Sequence, residues 1–220
     1  MIQNATALLL RKLRIDHKIF ITGNELKDYC RTFELDYAYI SRYYQRRGVF
    51  VRIFRGIFYV KSAEEIDMRH NKYNHLELVA KGLELKGVTD WYFGLYTALK
   101  LNEMTHEHFT TEEVISGKIL RTVPITIADH KFHFTKLNPK LTSFGIRKKG
   151  TRISSTNLKY SDPEKTILDF IYLWKYEGLS ENRVKMAIRE WTVNLDKNKL
   201  KRYAEKYPKT VRKISLEELS

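Results

Sequence analysis

The chain has 220 residues, of which 43% are hydrophobic and 30% charged, a composition that excludes the disordered and fibrous classes. The early apolar run from Ala7 to Leu10 is too short for a signal sequence or a membrane span, so we expect a cytoplasmic protein with no membrane contact. A single cysteine, Cys30, excludes an internal disulfide and a cysteine-based zinc site. The net charge of +14 favours a polyanionic partner.

The positive charge is concentrated in two blocks of the sequence. Residues 1–62 hold 12 lysines and arginines against 5 acidic residues, and residues 130–161 hold 8 against none. The segment between them, residues 63–129, holds 7 against 11 and is therefore acidic. This asymmetry predicts directed basic surfaces, unless folding scatters the two blocks in space.

The first 48 residues predict three helices and a short strand. Apolar residues at helical spacing indicate a helix over residues 2–14, and a short apolar run follows at residues 18–21. Thr22 and Glu25 form the pattern of a capping box that starts a second helix. Asp36 is a suitable N-cap for a third helix, which should end at Gly48.

After Gly48 the apolar pattern changes to strict alternation, which predicts a β-hairpin that turns at Arg55 and Gly56 and returns through residues 57–60. Helix, strand, helix, helix and hairpin in this order are typical of a winged helix-turn-helix, whose third helix enters the major groove of DNA. We therefore expect a DNA-binding domain over residues 1–62. The apolar pattern lapses from Ser62 onward, so a second domain is expected over residues 63–220.

Helical phasing places one side of the third helix outside the predicted core. Arginine can bind guanine, glutamine can bind adenine, and alanine leaves room for a thymine methyl group. Arginines of the hairpin suit phosphate or minor-groove contacts. The predicted DNA-binding residues are Ala38, Tyr39, Ser41, Arg42, Gln45, Arg46, Arg52 and Arg55. A basic outer face would also fit a simple solvated surface, or a winged helix that docks proteins.

Residues 63–220 predict a mixed domain in which helices dominate toward the C-terminus. Helices are expected over residues 74–86 and 90–102, and a hairpin over 122–134, with Pro124 on an edge strand. Ser161 with Glu164 predicts another capping box, and later helices should begin at Ser180 and include Leu200. The whole chain is thus expected to be an α+β protein.

Three runs in this order resemble the AbiEi family, the antitoxin repressors of type IV toxin–antitoxin (abortive infection) systems. Residues 44–60 match its basic helix end, glycine and basic hairpin; residues 91–99 match its glycine-containing helix; and residues 161–171 match its Pro-Glu-basic-Thr-apolar-Leu-Asp helix. The final 45 or so residues match no motif of that family. The resemblance implies that the winged helix binds inverted repeats in its own promoter and represses transcription. It also implies an antitoxin-like C-terminal domain that counteracts a nucleotidyltransferase-like toxin.

A second basic surface is suggested by four cations in six residues, at Arg147, Lys148, Lys149 and Arg152, although an exposed hairpin tip explains them equally well. The sequence gives no catalytic set, no phosphate-binding glycine loop and no metal-ligand pattern, so we expect neither an enzyme nor a cofactor. The leading hypothesis is a DNA-binding repressor that binds as a homodimer or as cooperative monomers. The alternatives are a nucleic-acid-processing enzyme targeted by the winged helix, and a winged-helix protein-interaction module.

Overall fold

The computed structural model describes residues 2–153 and 156–217, and these form an α+β fold. The chain divides into two compact units. The first runs to Gly87 and includes residues 127–129 and 151–156, and the second holds the remainder. None of the described helices is long and apolar enough to cross a membrane.

The first unit contains a small antiparallel sheet, in the strand order β1-β3-β2, with helices before, between and after its strands. Its elements up to β3 follow one another as the sequence pattern predicts. They are α1 (Ile2–Ile15), β1 (Phe20–Thr22), α2 (Gly23–Thr32), α3 (Tyr37–Arg46), β2 (Phe50–Phe54), β3 (Ile57–Val60), α4 (Ala63–Asp67) and α5 (His75–Leu85).

Local signals explain where these elements begin and turn. Thr22 and Glu25 form the predicted capping box at the start of α2. The Asp36 side chain accepts a hydrogen bond from the backbone N–H of Tyr39 at 2.6 Å and caps α3. Gly56 has a φ of +70° at the tip of the hairpin, a conformation that costs glycine little. The chain therefore turns sharply between β2 and β3.

The first unit does not end at residue 62, where the apolar pattern lapses, but continues through α4 and α5. Ile66 of α4 packs on the core of this unit. A Cβ at Gly82 would lie 2.5 Å from Ile53 and 2.8 Å from Phe54, so α5 lies close to β2 only because residue 82 has no side chain. The predicted boundary missed these two helices because their contacts to the hairpin are distant in sequence.

The second unit is built on a six-stranded mixed sheet, in the order β6-β7-β5-β4-β9-β8. Strand β6 is at one edge, as Pro124 predicts, and β8 is at the other. The elements are β4 (Trp91–Phe93), α6 (Leu95–Leu101), β5 (Thr111–Ser116), β6 (Arg121–Ile127), β7 (His130–Lys136), β8 (Ile146–Gly150), β9 (Asn157–Ser161), α7 (Pro163–Tyr176), α8 (Glu181–Ile188), α9 (Lys197–Ala204) and α10 (Lys209–Glu217). Short 3₁₀ helices lie at Pro139–Leu141 and Arg189–Trp191.

Two local predictions for this unit are wrong. Trp91–Phe93, expected to begin a helix, is a buried strand, because a short apolar run fits a central strand as well as a helix. Ser161 ends β9, and Asp162 is the residue that caps α7, through a bond from the backbone N–H of Lys165 at 2.9 Å. Aspartate and serine are both strong N-caps, and Pro163 at the first helical position favours the later start.

The core of the second unit contains a buried ion pair. Lys165 and Asp169, one turn apart on α7, are both fully buried, with Nζ 3.0 Å from Oδ1. The Tyr92 and Tyr207 hydroxyls donate to the same carboxylate at 2.7 and 2.6 Å. Burial lowers the pKa of Lys165, while the Asp169 carboxylate opposes that shift. Three aromatic rings surround the ammonium group, and it lies 4.7 Å from the ring centre of Phe144.

Candidate nucleic-acid interface

One side of α3 packs inward and the other is exposed. Ile40 is fully buried, and the Tyr44 hydroxyl donates to the Thr6 carbonyl of α1 at 2.5 Å. These contacts fix the rotation of α3 about its axis. The predicted outer residues Ala38, Tyr39, Arg42 and Arg46 are all exposed as a result.

A stack of side chains stiffens the exposed side of α3. The Tyr39 and Tyr43 rings lie 5.7 Å apart and nearly parallel, and the Arg47 guanidinium lies 4.9 Å from the Tyr43 ring centre. The same residues, with Arg42, line a surface hollow of about 420 Å³. Sequence phasing missed Arg47, because it follows the last residue of the helix. The available signal was its four-residue spacing from Tyr43, at which a cation and a ring meet on a helix.

Two predicted contact residues are placed differently from the expectation. Ser41 is only 8% exposed, so its predicted place outside the core is wrong, and it belongs to the inner side of α3. Gln45 is half-buried, and its Nε2 donates to the Ser41 carbonyl at 2.8 Å and approaches the Ser41 hydroxyl at 3.1 Å. Gln45 would have to break these bonds before it could pair with a base through both amide atoms.

The arginines of α3 differ from other cations of the same unit in their charge partners. Lys12 pairs with Asp16 at 2.8 Å, and Arg31 pairs with Asp28 at 2.9 Å. In the described part of the chain, Arg42, Arg46 and Arg47 have no carboxylate within ion-pair distance. Asp36, which lines the same hollow, caps the helix. This face therefore has uncompensated positive charge.

The hairpin adds two exposed cations. Arg52 is on β2, and Arg55 is in the tight turn before Gly56. The register between β2 and β3 shifts between Arg52 and Phe54, so the pairing of the two strands is irregular beside Arg52. Within the described residues neither arginine has an acidic partner.

The second predicted basic group does not form one surface. Arg147 and Lys149 alternate with Lys148 along β8, so Lys148 points to the opposite side of the sheet. Arg147 donates to the Asn102 side chain at 2.9 Å, whereas Lys148 lines a hollow beside Trp91. Arg152 belongs to the first unit, where its guanidinium donates to the Lys72 carbonyl at 3.1 Å. The alternative of a hairpin tip fits only Arg152, which follows β8 in the connection to its antiparallel partner β9, whereas residues 147–149 are within the strand.

The described residues contain no group of three or more His, Cys, Asp or Glu side chains that could hold a metal ion. Among the histidines of the second unit, His133 lies close to an acid, with its Nδ1 3.0 Å from Glu113 Oε2. Burial raises the pKa of Glu113, and His133 opposes that shift. This pair links β5 and β7 across the sheet of the second unit.

The chain is similar in fold to a solved structure, the crystal structure of the RV2827C protein from Mycobacterium tuberculosis. The TM-score is 0.58 at 12% sequence identity, and the match covers 98% of this chain and 76% of that one. At this identity the likeness concerns the fold alone. No protein-family model matches the chain, and no curated protein matches it either.

Proposed function

We propose that the first unit is a winged helix-turn-helix and that the chain is a DNA-binding transcriptional repressor. The observation that carries the proposal is the exposed face of α3, where Arg42, Arg46 and Arg47 lie together without acidic partners in the described chain. A helix fits the major groove of B-DNA, where arginine pairs with guanine O6 and N7. Specific contacts would come chiefly from Arg42, with Ala38 and Tyr39 close to the bases.

The hairpin would hold the backbone of the duplex. Arg52 and Arg55 are exposed and free of carboxylates in the described residues, as phosphate-binding arginines need to be. Phosphate contacts set affinity and salt dependence but carry no sequence information directly. In the second unit, Arg147 and Lys149 on one side of β8 provide further cations for such contacts.

The resemblance to the AbiEi family adds the biological setting of the proposal. The operator would be an inverted repeat in the chain's own promoter, and two copies of the protein would bind it, as a homodimer or as cooperative monomers. The second unit would act as an antitoxin toward a nucleotidyltransferase-like toxin. A gene for such a protein next to this one would support that role.

The direct test is binding of the full chain to the DNA upstream of its own gene. Fluorescence anisotropy should show tighter binding to the upstream fragment than to a shuffled duplex of equal length and composition. The logarithm of the association constant should fall linearly with the logarithm of the salt concentration. A protein that docks other proteins would bind neither duplex, and equal affinity for both would contradict the repressor proposal. Metal-dependent cleavage or modification of the fragment would favour the processing enzyme instead.

A further inference from the structure

A second cavity lies in the first unit, separate from the residues of α3. Its volume is about 490 Å³, within the usual range for small-molecule sites. Three segments line it: the end of α1 with the residues that lead to β1, the end of β3 with Lys61, and the chain through α4 to Tyr73. All three belong to the same compact unit.

The charged groups of the cavity favour an anion. Its cations are Arg14, Lys18, Lys61 and Lys72, its acids are Glu64 and Glu65, and its imidazoles are His17 and His70. Lys18 is already paired, at 2.7 Å from a carboxylate oxygen of Glu25. In the part of the chain that the structure describes, Arg14 and Lys61 have no ion pair.

The carboxylate at the base of the cavity is satisfied from within the protein. Glu65 is buried and accepts hydrogen bonds from the Tyr59 hydroxyl and from the backbone N–H groups of Lys72, at 2.6 Å, and Ser62, at 2.9 Å. Burial works to raise the pKa of Glu65, but these hydrogen bonds outweigh it and hold the pKa below 4.5. The charge of Glu65 is therefore compensated by three donors within the protein. Glu64, the other acid, is exposed, and the four cations outnumber the two acids, so Arg14 and Lys61 remain available for a ligand.

Apolar surface also remains uncovered in this cavity. Ile19 is 44% exposed and Met68 is 65% exposed, although both line it. Tyr73 also lines the cavity but is only 5% exposed, because it packs edge-on against Tyr59 at 5.5 Å. Exposure of the apolar Ile19 and Met68 side chains to water is unfavourable, and an apolar ligand body would cover them.

We propose that this cavity binds a small organic anion, in which an apolar or aromatic body lies against Ile19, Met68 and Tyr73 and an acidic group lies between Arg14 and Lys61. The site is independent of the DNA-binding proposal, because it uses none of the α3 or hairpin arginines.

The test uses the fluorescent probe 8-anilinonaphthalene-1-sulfonate, an aromatic sulfonate, with the folded full chain. The dye should bind at one saturable site with increased fluorescence. Arg14→Glu and Lys61→Glu should each weaken binding about tenfold, because charge reversal replaces attraction by repulsion. Arg11→Glu is the matched control, since Arg11 is exposed on the same helix but does not line the cavity. Met68→Asp should also weaken binding, and circular dichroism checks that each variant is folded.

Three further binding and competition measurements show which part of the ligand the cavity recognises. The uncharged analogue N-phenyl-1-naphthylamine should bind more weakly than the dye, and equal affinity would reduce the site to an apolar patch. Inorganic sulfate should displace the dye only at far higher concentration, and equal competition would remove the apolar part of the proposal. Displacement by a non-specific DNA duplex would assign the cavity to phosphates of DNA. Unchanged dye affinity in both charge-reversal variants would overturn the proposal outright.

Discussion

The outer face of α3 and the interior of α7 use positive charge in opposite ways. On α3, Arg42 and Arg46 are exposed and have no acidic partner in the described chain. On α7, Lys165 is fully buried and bonded to Asp169 and Tyr207. A buried charge must be compensated within the protein, whereas an exposed one is free for an external anion. The contrast separates charge that holds the fold together from charge that is available for binding.

The largest effect is expected on stability, when the carboxylate that pairs with the buried Lys165 is removed. Asp169→Ala should lower the free energy of unfolding by about 3–5 kcal/mol, because the buried Lys165 then loses its ion-pair partner. Urea denaturation followed by circular dichroism measures the loss. The double variant with Lys165→Met should be more stable than Asp169→Ala alone, since the unpaired charge is gone. A loss below about 1 kcal/mol would show that the pair is not a structural element.

The opposite result is expected for the exposed charge. Arg42→Ala should change the free energy of unfolding by less than about 0.5 kcal/mol, because this side chain is exposed and has no ion pair within the described residues. It should nevertheless weaken binding to the specific upstream DNA by about 1–3 kcal/mol. Arg31→Ala removes an equal charge from α2 and is the matched control. Equal losses of binding in the two variants would mean that only net charge matters.

A smaller effect is expected where an ion pair is partly buried. Lys199 Nζ lies 2.8 Å from Glu164 and 2.9 Å from Asp162. Burial works to raise the pKa of Glu164, but bonds from Lys199 and the Asp196 backbone outweigh it and lower the pKa below 4.5. The stability from this depressed pKa is complete above pH 4.5 and is lost as the pH falls through the folded-state pKa.

Replacing Lys199 should therefore reduce the change in the free energy of unfolding between neutral and acidic pH. Lys199→Met is expected to cost about 1 kcal/mol at neutral pH and less at about pH 3.5, where Glu164 is largely protonated in the unfolded chain. Lys201→Met, on the exposed side of the same helix, is the control. Urea denaturation at both pH values measures the difference, and parallel profiles for wild type and Lys199→Met would contradict the coupling.

The smallest expected effect concerns the stack in which Arg47 lies against Tyr43 and Tyr43 lies against Tyr39. Arg47→Ala should weaken specific DNA binding by about 0.5–1 kcal/mol, because the Tyr43 ring loses the cation that lies against it. If Arg47 acts through the stack, the same substitution should have less effect in a Tyr39→Ala background. Anisotropy titrations of the four proteins give the coupling energy. Fully additive losses would instead assign Arg47 to an independent phosphate contact.

The elements up to β3 were predictable from sequence because their signals are local. The capping residues Thr22 and Asp36, the glycine at the hairpin tip and the alternation after Gly48 each act over a few residues. The α+β class was predictable for the same reason. The end of the first unit was not, because it depends on the contact of Gly82 with β2, far away in sequence.

The candidate site was only partly predictable from helical phasing. Phasing correctly places Arg42 outside the core, but it also places Ser41 there, although Ser41 is only 8% exposed. The intramolecular bonds of Gln45 depend on rotamers that a helical wheel does not contain. The burial of Lys165 could not be predicted from sequence either, because its four-residue spacing from Asp169 fits an ion pair on the surface as well as one in the core.

DNA binding through α3 is tested most directly by an amide NMR titration of the isotope-labelled full chain with its upstream DNA. We expect the largest chemical-shift changes on α3 and on the hairpin around Arg52 and Arg55, with small changes on α2. Changes confined to other elements, or absent from α3, would contradict it.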